Sequence, residues 1–277
     1  MAQRSLEESF FDAQREWSKI KLRILTKYSD AYQKIRGSAN RVIFYVDGFA
    51  GAGRYGEDEN GDEGSSLQMA RFAQQIADSD KPYRLVCINV EQHPRNYARL
   101  QESLKGFDPD LVRTRFGDFA EHIPSILQET RGWPALFFLD PLGVKPVVLR
   151  TLRPVLARPD TEYLIVFMSK RLRMLAGFED SRAKDRDAKL RLVSEVLGEN
   201  RDDDNPQWLQ QWRSLRNSEK WEEWAAMTYG RRLSAENPQL RYILTYPVRE
   251  TFRSPLKYHL VFLTRSDKGI PIMNDLL

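Results

Sequence analysis

A glycine-rich turn and a row of carboxylates are the residues whose type and spacing could do chemistry here. The turn reads Asp47-Gly-Phe-Ala-Gly51-Ala-Gly53-Arg-Tyr-Gly56 and holds a G-x-G-x-x-G from Gly51 to Gly56. Such a turn suits a dinucleotide when a helix opens directly behind it and its N-terminus holds the pyrophosphate. Here Glu57-Asp-Glu-Asn-Gly-Asp-Glu63 follows, which is no helix start and repels phosphate. The acid expected about 20 residues further on would fall inside a helix instead of at a strand end. A nicotinamide dinucleotide is therefore the weaker reading.

S-adenosylmethionine (SAM) makes different demands. It carries a sulfonium and an ammonium and no phosphate, so acids near the turn favour it. Asp47 is placed to pair with the ammonium. Phe49, Gly51 and Gly53 form the turn on which the ligand lies, the glycines allowing close backbone approach. Glu91 ends the second apolar run and suits the ribose hydroxyls. Gly117 and Asp118 end the third and suit the adenine amino group. Asp140, followed by Pro141, closes the fourth, where a methyl group is delivered; these two are the candidate catalytic residues. Any one of these acids could equally be an ordinary strand end or helix cap. Four in succession point to SAM.

Periodicity supplies the elements that must position them. Residues 8–36, with Phe10, Phe11, Trp17, Ile20, Ile24, Leu25, Tyr28, Tyr32 and Ile35 at three- and four-residue steps, predict a helix closed by Gly37. Short apolar runs at 41–46, 85–90, 111–116, 135–139 and 163–168 predict five strands. They alternate with helical patterns at 65–77, 94–105, 120–129 and 147–157. That alternation predicts an α/β fold: a doubly wound, mostly parallel sheet with polar groups at its carboxyl edge. Residues 220–235 predict a further helix, and 239–248 with 257–265 an antiparallel pair, making seven strands. A doubly wound sheet finishing in an antiparallel hairpin is the layout of class I methyltransferases. The domain reading is a helical extension over 1–40 and a methyltransferase-like domain over 41–277, with a helical insertion at about 169–220.

Asp47-Gly-Phe-Ala-Gly-Ala-Gly53, Asn89-Val-Glu91, Gly117-Asp118 and Phe138-Leu-Asp-Pro-Leu-Gly143 stand in the order and spacing of class I SAM-dependent methyltransferases. More narrowly, the chain resembles the three-Cys-motif partner (TcmP) proteins. The likeness lies in the leading helix with Trp17, Lys19, Lys21, Leu25 and Tyr28, the D-x-F-A-G-x-G-R-Y turn, Gly64-Ser65, and F-L-D-P-x-G. It covers about residues 10–170 well and the remainder in layout. It implies association with a separate three-cysteine protein that looks like a radical-SAM enzyme. Enzymes that methylate base amines resemble (D/N)-P-P-(Y/F) at the fourth strand, where the aromatic stacks on an extruded base. Asp140-Pro141-Leu142-Gly143 keeps the first two positions and loses the aromatic.

Beyond the fifth strand, Lys170, Arg171, Arg173, Arg182, Lys184, Arg186, Lys189 and Arg191 outnumber the neighbouring acids. Arg171, Arg173, Arg182, Lys184 and Arg186 are the candidate nucleic-acid contacts, and a solvated helix face is the competing reading. Trp208, Trp212, Trp221 and Trp224 share helix faces and predict packing more than base stacking. His93 and His122 lie just past strand ends, within reach of a ligand.

The 277 residues carry 43 Lys+Arg against 39 Asp+Glu, a formal +4 that leaves a nucleic-acid partner open without requiring one. One cysteine, Cys87, excludes a disulfide framework or a thiolate cluster within this chain; mid-strand, it reads as core. Three scattered histidines do not suggest a metal site. With no apolar stretch of about 18 residues and no signal-type N-terminus, the expectation is a soluble cytoplasmic protein without membrane contact. The whole reads as a SAM-dependent methyltransferase acting on nucleic acid. The alternative is a non-catalytic SAM-binding subunit of the three-cysteine protein.

Overall fold

The computed structural model describes residues 16–56, 61–251 and 253–276. The predicted leading helix is seen as α1 (Glu16–Gly37); Phe10 and Phe11 lie outside the described residues. Leu22, Leu25, Tyr28 and Tyr32 bury one stripe of α1, while Arg23 and Lys27 between them stay exposed.

Seven strands follow: β1 (Val42–Asp47), β2 (Arg84–Glu91), β3 (Val112–Phe116), β4 (Ala135–Leu139), β5 (Thr161–Phe167), β6 (Tyr242–Val248) and β7 (Tyr258–Thr264). They form one sheet in the order β3-β2-β1-β4-β5-β7-β6. β1 pairs in parallel with β2 and β4, and β2 with β3. β7 runs antiparallel to both its neighbours, as the hairpin spacing predicts. β4 and β5 are buried along their whole length, which is why they read as unbroken apolar runs and not as alternating ones. Helices α2 (Ser65–Ala77), α3 (Pro94–Leu104), α4 (Phe119–Glu129) and α5 (Leu149–Leu156) fill the crossovers on both faces. α6 (Ser169–Ala176), α7 (Arg186–Val196) and α8 (Gln207–Leu215) lie between β5 and α9 (Lys220–Ala235), and α10 (Gly269–Leu276) closes the chain. Among the described residues no helix is long and apolar enough to cross a membrane.

The chain divides into two compact units, Met1–Phe138 with Ile272–Leu277, and Leu139–Pro271. The division falls at the end of β4, and α1 packs within the first unit against β1 and α2.

Candidate functional site

In the first unit the ends of β1, β2 and β3 are tied together through Glu91. Its carboxylate is almost buried, and one oxygen accepts the Gly51 N–H at 2.8 Å while the other accepts the His93 N–H at 2.7 Å. Its backbone carbonyl accepts the Gly117 N–H at 3.1 Å. One residue at the end of β2 thus holds the glycine turn on one side and the β3 end on the other. Each carboxylate oxygen keeps a second lone pair for a further donor.

The turn itself needs its glycines. Gly51 (φ 64°) and Gly53 (φ 79°) sit in the left-handed region. A Cβ on Gly53 would also stand 2.9 Å from that of Ser103. Behind the turn the chain doubles back. Gly53 O accepts the Gly64 N–H at 2.8 Å, and Tyr55 N donates to Asp62 O at 2.9 Å. α2 therefore starts only at Ser65, and the turn does not feed a helix N-terminus. This bears out the sequence argument against a pyrophosphate.

Asp47 departs from its expected role. Its carboxylate is completely buried and accepts three bonds: Ser65 Oγ at 2.6 Å, Phe49 N at 3.1 Å and Tyr45 Oη at 3.2 Å. Direct pairing with a ligand ammonium needs an open face that this carboxylate lacks; it braces the turn. Phe49 lays its half-buried ring against Phe119, centroids 5.7 Å apart. Asp118 is exposed and caps α4, accepting the Ala120 N–H at 2.8 Å on one oxygen. Beside it Phe116 leaves half its surface exposed, its ring 5.2 Å from that of Tyr97. Sequence reasoning passed over both aromatics, although a Phe directly before a strand-ending Gly-Asp was the available signal. His122 is held on Phe116 O through Nε2 at 2.9 Å, and His93 serves Glu91 through its backbone. Cys87 is sealed in β2, and burial raises its thiol pKa, as a core reading requires.

Asp140 and Pro141 belong to the second unit, directly after β4. Asp140 is half-buried, Pro141 buried and Leu142 58% exposed. The basic residues of this unit separate into two sorts. Arg173 donates to the buried Glu222 at 2.7 Å and to the Ser218 carbonyl at 2.8 Å, so it is an internal strut and not a phosphate contact. Arg186 is held on the Glu179 carbonyl at 3.0 Å and on Asp187 at 2.7 Å. Arg171, Arg182 and Lys184, with Lys170, are exposed, and none has an ion-pair partner among the described residues. Trp208, Trp212 and Trp221 are core: Trp212 and Trp221 meet edge to face at 5.2 Å, and Trp208 donates to Ser194 Oγ at 2.8 Å.

The strand order, with its one antiparallel strand in sixth place, is that of class I methyltransferases. No protein-family model matches the chain, and no curated protein does. Solved structures resemble it at low identity. A Legionella pneumophila protein of the DUF519 family matches over 95% of this chain and 90% of its own, at 10% identity and a TM-score of 0.46. Human methyltransferase-like protein 13, in complex with SAH, matches over 94% and 90% at 11% identity and TM-score 0.43. A geranyl diphosphate methyltransferase in complex with GPP and sinefungin matches over 86% and 77% at 10% identity and TM-score 0.36. At these identities the likeness is one of fold.

Proposed function

We propose that this protein is a SAM-dependent methyltransferase acting on nucleic acid. The observation that carries the cofactor half is the Glu91 clasp, which gathers the ends of three consecutive strands around one buried carboxylate. The donor set fits the ligand. Glu91 has acceptor capacity for ribose hydroxyls, Asp118 is an exposed acceptor for an adenine amino group, and Phe116 offers an open aromatic surface beside it. Gly51 and Gly53 bring bare backbone to the ligand, and Asp47 keeps that backbone in place. SAM, when bound, supplies an electrophilic methyl group. Asp140 accepts a hydrogen bond from the acceptor amine and aims its lone pair, a positioning role that suits N-methylation. Arg171, Arg182 and Lys184 supply phosphate contacts.

Calorimetry with SAM and with S-adenosylhomocysteine tests the cofactor, and labelled-methyl transfer to total nucleic acid tests the reaction. Glu91→Ala removes the acceptor of two backbone N–H groups and should weaken both ligands about equally, by about tenfold or more. Asp140→Ala should abolish transfer and leave SAM affinity within a few-fold. Wild-type protein that binds neither ligand refutes the assignment.

A second reading is favoured by Gly143, which stands where a base-methylating enzyme would present a stacking ring, with the exposed Leu142 in place of the second proline. On it the chain is a SAM-binding subunit of a three-cysteine, radical-SAM-like protein. SAM binding without transfer, even with that partner present, decides for it.

A further inference from the structure

One stretch of the second unit carries positive charge that its own ion pairs do not remove. Between residues 169 and 191 every acid is taken: Asp180 by Arg216 at 2.6 Å, Asp185 by Lys189 at 2.7 Å, Asp187 by Arg186 at 2.7 Å, and Glu179 by Arg213. Arg173 is paired with Glu222 and Arg191 with Asp202. Lys170, Arg171, Arg182 and Lys184 are left over, all exposed and none with an ion-pair partner among the described residues.

An apolar strip runs between these cations. Residues three and four apart share a helix face, as Met174, Gly177 and Phe178 do where α6 runs on into the tight turn Gly177–Asp180. Met174 is 55% exposed and stands one turn beyond Lys170 and Arg171, while Ser169, Leu172 and Ala176 bury the opposite face. Phe178 is half-buried, with the Lys189 ammonium 3.4 Å from its ring centroid. Gly177 is exposed, and nothing in the fold demands a glycine there. Its φ of −61° is ordinary helix, and a Cβ would come no nearer than 3.8 Å to Trp212. Alanine would be the better helix former. The bare backbone instead leaves flat, open surface between Met174 and Phe178, which a side chain would fill.

A partner that answers both features brings repeating negative charge together with flat apolar faces. A duplex hides its base faces in the stack, and an acidic polypeptide carries its charges without bases between them; a single strand of nucleic acid offers both. We infer that the strip from Met174 to Phe178, with Lys170 and Arg171 before it and Arg182 and Lys184 after it, is a docking surface for single-stranded nucleic acid. The cations take phosphates, and an unstacked base lies on the Met174 thioether and the bare Gly177 backbone. This deepens the nucleic-acid part of the proposed function, by naming the strand state of the substrate, and rests on it. It agrees with a reaction at a base amine, which a duplex withholds.

The test is fluorescence anisotropy of the full chain, without SAM, against a labelled single strand, its duplex, an abasic strand of equal length and polyglutamate. The single strand should bind about tenfold or more tighter than the duplex or the abasic strand. Its log affinity should fall against log salt with a slope of about 3, four phosphates at about 0.7 each, and Lys170→Gln with Arg171→Gln should lower that slope by about 1.4. Met174→Ser and Gly177→Gln, both at exposed positions, should each weaken the single strand by about threefold or more and leave the salt slope and the abasic strand unchanged. Thermal unfolding of both should match wild type. Lys27→Gln, at an exposed position of α1, should bind as wild type does. A duplex or an abasic strand bound as tightly as the single strand overturns the inference and leaves the nucleic-acid reading standing. So does a single strand whose affinity neither Met174→Ser nor Gly177→Gln changes. Polyglutamate bound in place of the oligonucleotides, or no binding to any of them, removes the nucleic-acid reading and this inference together. A chain that binds the single strand through this face yet transfers no methyl group upholds the inference and removes only the reaction.

Discussion

His259 should make the protein acid-sensitive in a defined window. Burial pushes its pKa down from 6.5 to about 4, the nearby Arg249 charge adds to the fall, and Glu219 opposes it. The ring of the unfolded chain takes up a proton near pH 6.5, whereas the folded ring does so only near pH 4. Between those values the unfolded state binds the extra proton, so stability is full above about pH 7 and is lost as pH falls. The whole difference amounts to about 3 kcal/mol, of which about 2 kcal/mol goes between pH 7 and pH 5. Urea unfolding of wild type and His259→Gln at those two pH values, in phosphate-free buffer, isolates the term, because carboxylates titrate alike in both proteins. Wild type should lose about 2 kcal/mol more than the variant over that interval. Equal losses, within about 0.5 kcal/mol, would refute the claim that His259 is held neutral by the fold.

Gly53→Ala adds a Cβ at φ 79° that meets Ser103, and should cost about 1–3 kcal/mol in thermal unfolding while weakening SAM. Arg173→Gln strands the buried Glu222 and should destabilise by about 2–3 kcal/mol, whereas Arg182→Gln should stay within about 0.5 kcal/mol and still weaken an oligonucleotide. Trp221→Ala should cost about 3–5 kcal/mol by denaturant titration; a surface stacking residue would cost little.

What could be read in the sequence was decided by neighbours in the chain; what could not was decided by partners far from it. The apolar run 135–139, set between Pro134 and Asp140, needs no distant information, and β4 has those bounds. Ser65–Ala77 and Lys220–Ala235 likewise follow from their own stripes. The helix expected over 147–157 begins late, because Lys145–Val147 forms a tight turn and Val148 is extended ahead of Leu149. The site obeys another logic. Asp47 reads as a strand-end acid open to a ligand until Ser65, 18 residues on, closes over it. Arg173 reads as one of a row of phosphate contacts until Glu222, 49 residues away, claims it. Ser169 and His259 meet across 90 residues, and neither position alone hints at the other. Glu91 ends β2 as its apolar run implies, but its carboxylate accepts the N–H groups of Gly51, 40 residues away, and of His93, and that contact to Gly51 is set by the fold. The glycine turn was legible before the structure, and its clasp by Glu91 was not. Which charges face solvent, and so remain available to a substrate, required the fold to pair off the others first.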